Sequence, residues 1–544
     1  MKAVFLKSNM EKSIKEISFV VSLGTLLSKF GGMARQLVIA GAFGISAAYD
    51  AYNYAYIIPG FFLVLLGGIN GPLHNSMVTL LADKNKVDSR LFISSINNIL
   101  SIILLIISLF IFFSSDFLIN LVGPSLIPEI KEIASYQLKI MSPIIFLSGL
   151  IGLGFGSLNA KKEFFIPSIS PLISSLIIII SISNFWINKG NTTDLDALNI
   201  RGGIILAKAT FIGALSQYLI QIPFLIRKGI FAISFSIQTK YSEIKRALQM
   251  IAPASLSSGM IQINVFTDLF FASKIVGAAA ALSYANFLVQ APLGIVSNSI
   301  LIPLLPVFVS LRARENHLKL IKKIHQGLIL STTSMVFLGS IFISLSTPIV
   351  ILIYGRGSFN QNAVDVVSQL LIAYGIGMPF YLCRDLLVRV FYGIEDAKTP
   401  FRISIISILL NLFFDWFFIG GSSPWGELSP LNFGVNGLVF STTFVNFFAC
   451  TLLLFKLNNR LDNLNLSNLL SQNLRIIIIG LISGICSFFI FKIIFLPYSF
   501  INLLLKLIIS SGISLIIFYC LAIILKIDEI DNLNKFLKEK FIRL

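Results

Sequence analysis

The chain has 544 residues, of which 56% are hydrophobic and 12% charged, and its mean hydropathy is +0.88. A soluble protein of this length needs more polar surface than this composition supplies, so we predict an all-α polytopic membrane protein. The net charge of +17 would suit a nucleic-acid partner, but its distribution along the chain indicates membrane topology instead.

Apolar segments long enough to cross about 30 Å of hydrocarbon follow one another along the whole chain. We predict about 14 transmembrane helices, at residues 17–44, 50–82, 91–113, 133–158, 164–187, 202–226, 247–273, 280–311, 324–354, 364–392, 401–420, 434–456, 474–496 and 502–526.

The chain repeats itself at one fixed spacing, which is the separation of Gly44 and Gly277 along the sequence. The same repeat spacing relates Ala47 to Ala280, Asn53 to Asn286, Pro59 to Pro292, and Pro167 to Pro400. The repeat predicts two six-helix lobes in one orientation, residues 1–228 and 229–460, followed by helices 13 and 14 and a basic tail at 461–544. A parallel repeat of this kind is typical of a transporter whose site lies between the lobes near the bilayer midplane.

The Lys and Arg residues are divided unequally between the two sides of the membrane. With a cytoplasmic N-terminus, the inside segments hold 29 of the 42 and the outside loops hold 7. This is the bias of the positive-inside rule, so we predict a plasma-membrane protein with both termini in the cytoplasm. The basic loops are expected to contact anionic membrane lipids and not nucleic acid.

Motifs for enzyme chemistry are absent from the sequence. It has no HExxH, GxSxG or phosphate-cradling GxxxxGK[ST] pattern, so we predict no enzyme activity and no nucleotide-driven pumping. His74 is interpreted as a hydrogen-bonded interior histidine beside Asn75 in preference to a proton carrier.

Charged residues inside the first spans form the first candidate site. Ser28 and Arg35 lie on one face of the first helix, two turns apart, with Lys29 rotated by about 100°. Asp50 opens the second helix. Charges at membrane depth usually face a cavity or a partner, so this patch predicts binding of a diphosphate or another anion. The alternative is a structural ion pair between Arg35 and Asp50.

A second group of charges lies further along, in the tenth predicted helix. For Arg384, Asp385 and Arg389 we favour snorkelling and local pairing over substrate contact.

Oxygen-bearing side chains in the second lobe form another candidate site. Asp268 lies in the seventh predicted helix, and Asn411 and Asp415 lie four apart in the eleventh, with Thr442 in the twelfth. Two carboxylates, an amide and a hydroxyl in apolar helices suit a sodium or proton site. A hydrogen-bonded structural cluster remains open as an alternative.

Several segments resemble a known family. They include GMARQLVIAGAFGISAAYDAYNYAYIIP, INVFTDLFFASKIVGAAAALSYANFLVQAPLG, YGRGSF and FYGIEDAKTPFRISIISILLN. They are similar, in order and over nearly the whole chain, to the MurJ (MviN) lipid II flippases of the multidrug, oligosaccharidyl-lipid and polysaccharide exporter superfamily. The resemblance implies a substrate, undecaprenyl-diphosphate-linked disaccharide-pentapeptide, that is flipped to the outer leaflet by alternating access for peptidoglycan synthesis. It also implies that the appended helix pair lines a groove for the lipid tail.

The resemblance also implies site residues. The substrate set matches Ser28, Lys29, Arg35 and Asp50, and the family's cation site matches Asp268, Asn411, Asp415 and, less directly, Thr442, with sodium as the coupling ion and no other cofactor.

The chain departs from the family's pattern at three places. Leu63 and Phe287 replace arginines, and GGING replaces an acidic stretch at residues 67–71. The head group would then be held by Lys29 and Arg35 with Asn286 and Gln290.

These observations lead to a lipid II flippase, with other cell-wall synthesis proteins as further partners. Two alternatives stay open. The first is an exporter of another polyprenyl-linked glycan or a sodium-coupled small-molecule exporter, which the lost arginines favour. The second is a scaffold without transport activity.

Overall fold

The computed structural model of the chain describes residues 14–68, 71–81, 86–188, 195–231, 241–311, 317–420, 430–461, 464–497, 499–527 and 529. This described part is helical and contains no β-strand. The first eleven helices are α1 (Ile14–Phe43), α2 (Ala47–Leu65), α3 (Pro72–Leu81), α4 (Lys86–Phe113), α5 (Ser115–Val122), α6 (Pro128–Met141), α7 (Pro143–Ala160), α8 (Phe165–Ile187), α9 (Leu195–Leu219), α10 (Ile222–Arg227) and α11 (Tyr241–Ala272). They are followed by α12 (Ala278–Ser310), α13 (His317–Ser344), α14 (Ser346–Tyr354), α15 (Gln361–Gly393), α16 (Lys398–Ile419), α17 (Val435–Arg460), α18 (Leu466–Ile493) and α19 (Phe500–Ile524).

The predicted membrane spans correspond to helices. Among the described residues, 11 helical segments are long and apolar enough to cross a membrane, and each coincides with a predicted span. The other three predictions fall on α1, on α2 with α3, and on α11. The predicted all-α membrane fold is confirmed. The N-terminal segment before Ile14, the tail from 530, and Ile69 and Asn70 of the GGING stretch lie outside the described residues.

Four predicted spans are interrupted. The span at 202–226 is divided because α9 ends at Leu219 and α10 begins at Ile222. The span at 50–82 is two helices, because α2 ends at Leu65 and α3 begins at Pro72. The span at 324–354 breaks at Leu345, and the one at 133–158 breaks at Ser142, directly before Pro143. Proline fits the first turn of a helix because its missing N–H has no intrahelical partner there. Hydropathy alone does not reveal such breaks, since the apolar run continues through each of them.

The chain forms two compact units, Met1–Phe266 and Thr267–Leu544. In the first unit α1 packs on α8, α8 on α9, α2 on α6, and α3 and α4 on α7. In the second unit α15 is central, in contact with α12, α13 and α17, while α16 packs on α17 and α18 joins α13 and α19. The predicted division at residues 228 and 460 stays a prediction.

The sequence repeat is visible in the backbone. The first residues of α8 and α16 are separated by the repeat spacing, as are those of α6 and α15. The turns before α8 and α16 both contain a left-handed residue, Lys162 with φ of 59° and Glu395 with φ of 61°. In both turns an amide reaches back over five residues, from Glu163 to Leu158 and from Asp396 to Phe391, at 2.9 Å. The two units therefore preserve the same helix boundaries and the same helix-ending turn.

Each of these turns is also attached to the last long helical segment of its repeat by an ion pair. Glu163 lies 3.6 Å from the Nζ atom of Lys228, and the equivalent Asp396 pairs with Arg460 at the end of α17. Asp396 additionally accepts hydrogen bonds from the backbone amide of Thr399 at 3.0 Å and from its hydroxyl at 2.8 Å.

Acid sensitivity should arise at Asp396. Burial raises the pKa of this carboxyl, but hydrogen bonds from Thr399 and the charge of Arg460 outweigh burial and lower the pKa below its ordinary value. Because the folded pKa is the lower one, this stabilisation is full above the unfolded pKa of about 4 and is lost as pH falls through the folded value. We expect the unfolding temperature of purified Asp396→Asn protein to fall less steeply with decreasing pH than that of wild type. The change Asp365→Asn, at an exposed position, is the control. An unfolding temperature that falls equally steeply with decreasing pH in Asp396→Asn and in wild type would contradict the assignment.

Close helix packing in the first unit depends on Gly152 of α7. A Cβ atom there would overlap the carbonyl oxygen of Leu66 at the end of α2. We expect Gly152→Ala to lower the free energy of unfolding by at least about 1–3 kcal/mol, the usual range for overpacking, because the backbone must move. Thermal unfolding in detergent measures this. Gly32→Ala on α1 is the matched control, since a Cβ there meets nothing within 4 Å, and equal loss in both variants would rule out the contact as the cause.

Candidate functional site

The cationic face of α1 is divided between packing and exposure. The hydroxyl of Ser28 donates to the carbonyl oxygen of Ser168 on α8 at 2.7 Å, so its proton is used in helix packing. Lys29 is exposed, and Arg35 is half-buried. Arg35 makes no hydrogen bond or ion pair with a described residue. The neighbouring Gln36 donates from its side chain to the Tyr49 hydroxyl on α2 at 3.1 Å, so this part of α1 lies beside α2.

Asp50 is fully buried in the first turn of α2. Its backbone amide bonds to the carbonyl oxygen of Ser46 at 2.9 Å, and its charge acts on the neighbouring Tyr54. The contacts of Arg35 among the described residues do not include an ion pair with Asp50. Asp50 therefore belongs to the packed interior of the first unit, whereas Arg35 keeps an uncompensated charge.

The predicted polar pair on α12 is exposed. The amide of Gln290 donates to the side-chain oxygen of Asn286 at 3.4 Å, one helical turn away. Phe287, beside them on α12, is half-buried. Leu63, on α2 of the first unit, is also half-buried. The departures from the family's arginines thus leave apolar side chains on α2 and α12, and the polar groups on α12 are amides without charge.

The second candidate site brings together side chains of α11 and α16. The side-chain amide of Asn411 donates to Asp268 Oδ1 at 3.1 Å and to Asp415 Oδ2 at 2.7 Å. Asn411 and Asp415 are fully buried, and Asp268 is half-buried. The amide therefore bridges two carboxylates of like charge in a nearly dry environment.

Oxygen atoms of this cluster lack partners. Asn411 Oδ1 and Asp415 Oδ1 are buried and accept no hydrogen bond from a described residue. Buried carboxylate and amide oxygens without donors are costly unless a cation or proton binds them. No group of three or more His, Cys, Asp and Glu side chains in the described part suits a metal ion. The donors here are hard oxygens, which fit a hard monovalent cation or a shared proton.

Helix α17 approaches the cluster through Ser441. The hydroxyl of Ser441 donates to the carbonyl oxygen of Asn411 at 3.3 Å. Thr442, the predicted ligand, is half-buried, and its hydroxyl donates to the carbonyl oxygen of Leu438 in its own helix at 3.1 Å. A role for Thr442 stays a prediction. The sequence analysis missed Ser441, because adjacent residues of a helix point about 100° apart and only packing shows which of them faces α16.

Arg384 on α15 is held by a polar partner that the sequence analysis did not identify. Its guanidinium donates to the side-chain oxygen of Asn446 on α17 at 2.7 Å, and Asn446 in turn donates to the carbonyl oxygen of Thr442 at 2.7 Å. The partner of Arg384 thus lies on α17, whereas pairing among Arg384, Asp385 and Arg389 stays a prediction.

His74 on α3 lies between two amides. It is 3.1 Å from Asn75 through Nδ1 and 2.7 Å from Asn159 through Nε2. This is the arrangement of a hydrogen-bonded interior histidine.

A large apolar groove lies within the second unit. Its volume is about 1040 Å³, and its lining comes from α13, α15, α17 and α18. Aliphatic side chains dominate it, together with phenylalanines such as Phe380, Phe447 and Phe488. Helix α18 comes close to α13 because Gly484 lies beside Ser340, where a Cβ atom would be 3.2 Å from that of Ser340. Of the appended pair only α18 supplies described lining residues, while α19 packs against α18.

The repeat relates the two candidate sites. The repeat spacing separates Arg35 from Asp268, Ile178 from Asn411, and Ile182 from Asp415. Ile178 and Ile182 are buried in α8, at the positions that carry the amide and the carboxylate in α16. The positions that carry two carboxylates and an amide in the second unit therefore carry an arginine and two isoleucines in the first.

Comparisons with known proteins agree over most of the chain. A family model described as lipid II flippase MurJ matches residues 39–510. A probable lipid II flippase MurJ of Synechocystis sp. is 38% identical over 536 residues, which is 98% of each chain. The lipid II flippase MurJ of Thermosipho africanus is 28% identical over 444 residues, covering 81% of this chain and 86% of that protein.

Solved structures give the same result. A lipid II flippase MurJ in an inward closed conformation has a TM-score of 0.73 and 26% identity, covering 92% of this chain and 99% of that one. An inward-facing multidrug resistance MATE family transporter has a TM-score of 0.61 and 15% identity, covering 80% of this chain and 95% of that one. The second likeness is one of fold alone.

Proposed function

Since the chain belongs to the MurJ family of lipid II flippases, we propose that it moves lipid II across the bacterial plasma membrane. The function is transport without chemical change of the substrate. The observation that carries this is the combination of a family match over residues 39–510 with a lipid-sized apolar groove in the second unit.

The groove supports binding of the polyprenyl tail. A tail of this kind is a long, flexible hydrocarbon, and a groove of about 1040 Å³ lined by aromatic and aliphatic side chains offers it a protein surface in place of lipid. Thr332 and Asn473 are polar groups of the lining. The hydroxyl of Thr332 lies 3.3 Å from the Cys383 sulfur, which satisfies it within the lining.

The diphosphate of the head group is assigned to the cationic residues of α1. Arg35 carries a half-buried charge with no described partner, and a diphosphate would supply the missing anion through paired hydrogen bonds. Lys29 is an exposed point charge that adds attraction without fixed geometry. A role for Asn286 and Gln290 of α12 in substrate binding stays a prediction. Ser28 holds α1 against α8 through the carbonyl oxygen of Ser168, and Asp50 is part of the packed interior.

Coupling is assigned to the cluster of Asp268, Asn411 and Asp415. The unpartnered oxygens of Asn411 and Asp415 support binding of sodium, which would neutralise two buried carboxylates when bound. Around it, Asn411 orients both carboxylates through its amide, and Ser441 fixes the backbone of α16. Thr442 is a further candidate ligand.

The proposed direction of transport is the one that the family resemblance implies. We assign movement from the inner to the outer leaflet by alternating access, with both termini in the cytoplasm as the charge bias predicts. Contacts with other cell-wall synthesis proteins stay a prediction.

The test is rescue of a bacterium depleted of its own lipid II flippase. We expect expression of the chain to restore lipid II exposure at the outer leaflet, measured by a membrane-impermeant lipid II probe. Absence of rescue, with the protein folded in the membrane, would favour an exporter of another polyprenyl-linked glycan. Rescue of growth without exposure of lipid II would favour a scaffold.

A further inference from the structure

Three tyrosines of α2 form a continuous stack of rings. Tyr49, Tyr52 and Tyr56 lie three and four residues apart, on one face of the helix. The ring centroids are 5.9 Å apart between Tyr49 and Tyr52 and 5.5 Å apart between Tyr52 and Tyr56, with interplanar angles of 13° and 9°. Phe43 continues the row beyond Tyr49 at 6.3 Å. Rings stacked in this way hold each other's orientation.

The hydroxyl groups of the stack differ in their bonding. Tyr49 accepts a hydrogen bond from the Gln36 side chain at 3.1 Å. The Tyr52 hydroxyl lies 2.9 Å from the hydroxyl of Thr210 on α9. The Tyr56 hydroxyl makes no hydrogen bond to a described residue, and Tyr56 is half-buried while the other two are buried. The stack thus runs from two fixed phenols to a third with free hydrogen-bonding capacity.

The local backbone sets the position of the Tyr56 ring. Gly60 follows one turn later on the same face, and a Cβ atom there would lie 2.8 Å from Tyr56 Cε1. The ring therefore lies against the bare backbone at Gly60, between that backbone and the ring of Tyr52. Helix α1 lies beside the stack, because the side chain of Gln36 donates to the Tyr49 hydroxyl. Arg35, a cation of α1 without a described partner, is the residue next to Gln36.

The second unit provides an internal comparison. The residues that the repeat spacing matches to the three tyrosines are Leu282, Ala285 and Val289 of α12, all buried and apolar. The same helix of the repeat therefore packs without phenol groups. The tyrosines are a feature of the first unit, where the equivalent of Asp268 is Arg35, and the repeat fold does not require them.

We propose that the Tyr56 hydroxyl and the Arg35 guanidinium together bind a phosphate oxygen of the substrate's diphosphate, which makes Tyr56 a specificity-determining residue. The inference rests on the proposed function and deepens it. The phenol donates one hydrogen bond to the anionic oxygen, and Arg35 supplies charge and further donors. Because the stack already fixes the ring, little rotational freedom is lost when the ligand binds.

Binding measured on purified full-length protein tests this. Undecaprenyl diphosphate and lipid II are titrated separately by native mass spectrometry. Tyr56→Phe keeps the ring and removes the hydroxyl, so we expect an unchanged unfolding temperature and about tenfold or more weaker binding of both ligands. Tyr49→Phe removes a hydroxyl from the same stack that is bonded to Gln36, and it should leave both dissociation constants unchanged.

The outcomes are distinct. Wild-type affinity of Tyr56→Phe for both ligands would overturn the proposal. Loss of affinity for lipid II alone would overturn the phosphate assignment in favour of a contact with the sugar or peptide. Wild-type protein that binds undecaprenyl diphosphate but not lipid II would overturn the proposed lipid II function while leaving the phosphate subsite in place.

Discussion

Arg35→Ala should abolish the outer-leaflet exposure of lipid II that the wild-type chain restores. Arg35 is half-buried in α1 and has no described partner, so the protein itself does not compensate its charge. A buried cation persists at membrane depth only where it serves a ligand or a cavity. Charge-assisted hydrogen bonds contribute about 1.5–3 kcal/mol each, so loss of two should lower substrate affinity by at least about a hundredfold.

Two further substitutions make this result specific. Arg35→Lys retains the charge but lacks the planar fork, and we expect partial activity between wild type and Arg35→Ala. Arg201→Ala removes an exposed arginine of the same unit, on α9, and should retain exposure of lipid II. Membrane abundance of each variant is measured in parallel. Full activity of Arg35→Ala would remove α1 from the head-group site, and equal loss in Arg201→Ala would point to net charge instead.

Much of the fold followed from the sequence because hydrophobic length and repetition are strong signals in a membrane protein. The fixed spacing of the repeat located equivalent turns, which the structure shows at Lys162 and Glu395. The clustering of Asn411 with Asp415 followed from their spacing of four on one helix, and the contact with Asp268 followed from the cost of an isolated carboxylate.

Other features could not be predicted, since they depend on how helices pack. The break between α2 and α3 falls at the GGING stretch, but the close approach of the Leu66 carbonyl to Gly152 of α7 depends on tertiary packing. The choice between Ser441 and Thr442 depends on the rotation of α17, which one residue changes by about 100°. The stack that ends at Tyr56 has helical spacing that is equally compatible with ordinary core packing; only the unequal bonding of the hydroxyls distinguishes Tyr56.

Asp415→Asn should remove any stabilisation of the protein by sodium. Asp415 is fully buried, and its Oδ1 atom has no described donor, so it is the group of the cluster that most needs a cation. A ligand that binds only the folded state stabilises it by about 2.7 kcal/mol at a hundred times its dissociation constant. We therefore expect wild type to gain thermal stability in sodium relative to choline. The Asn variant should gain none, yet should be more stable than wild type without sodium, because one of two like charges is gone.

The rise in stability without sodium is what separates a cation site from a structural cluster. If the cluster were only hydrogen-bonded packing, Asp415→Asn would replace the charged acceptor of the Asn411 amide by a weaker neutral one and be destabilised in every salt. Asp365→Asn, at an exposed position of α15, is the matched control and should respond to sodium as wild type does. An equal sodium response in Asp415→Asn and wild type would place the cation elsewhere. A response to pH but not to sodium in wild type, lost in the variant, would assign a shared proton to Asp268 and Asp415, since their carboxylates face the same amide and cannot both stay charged without a counter-ion.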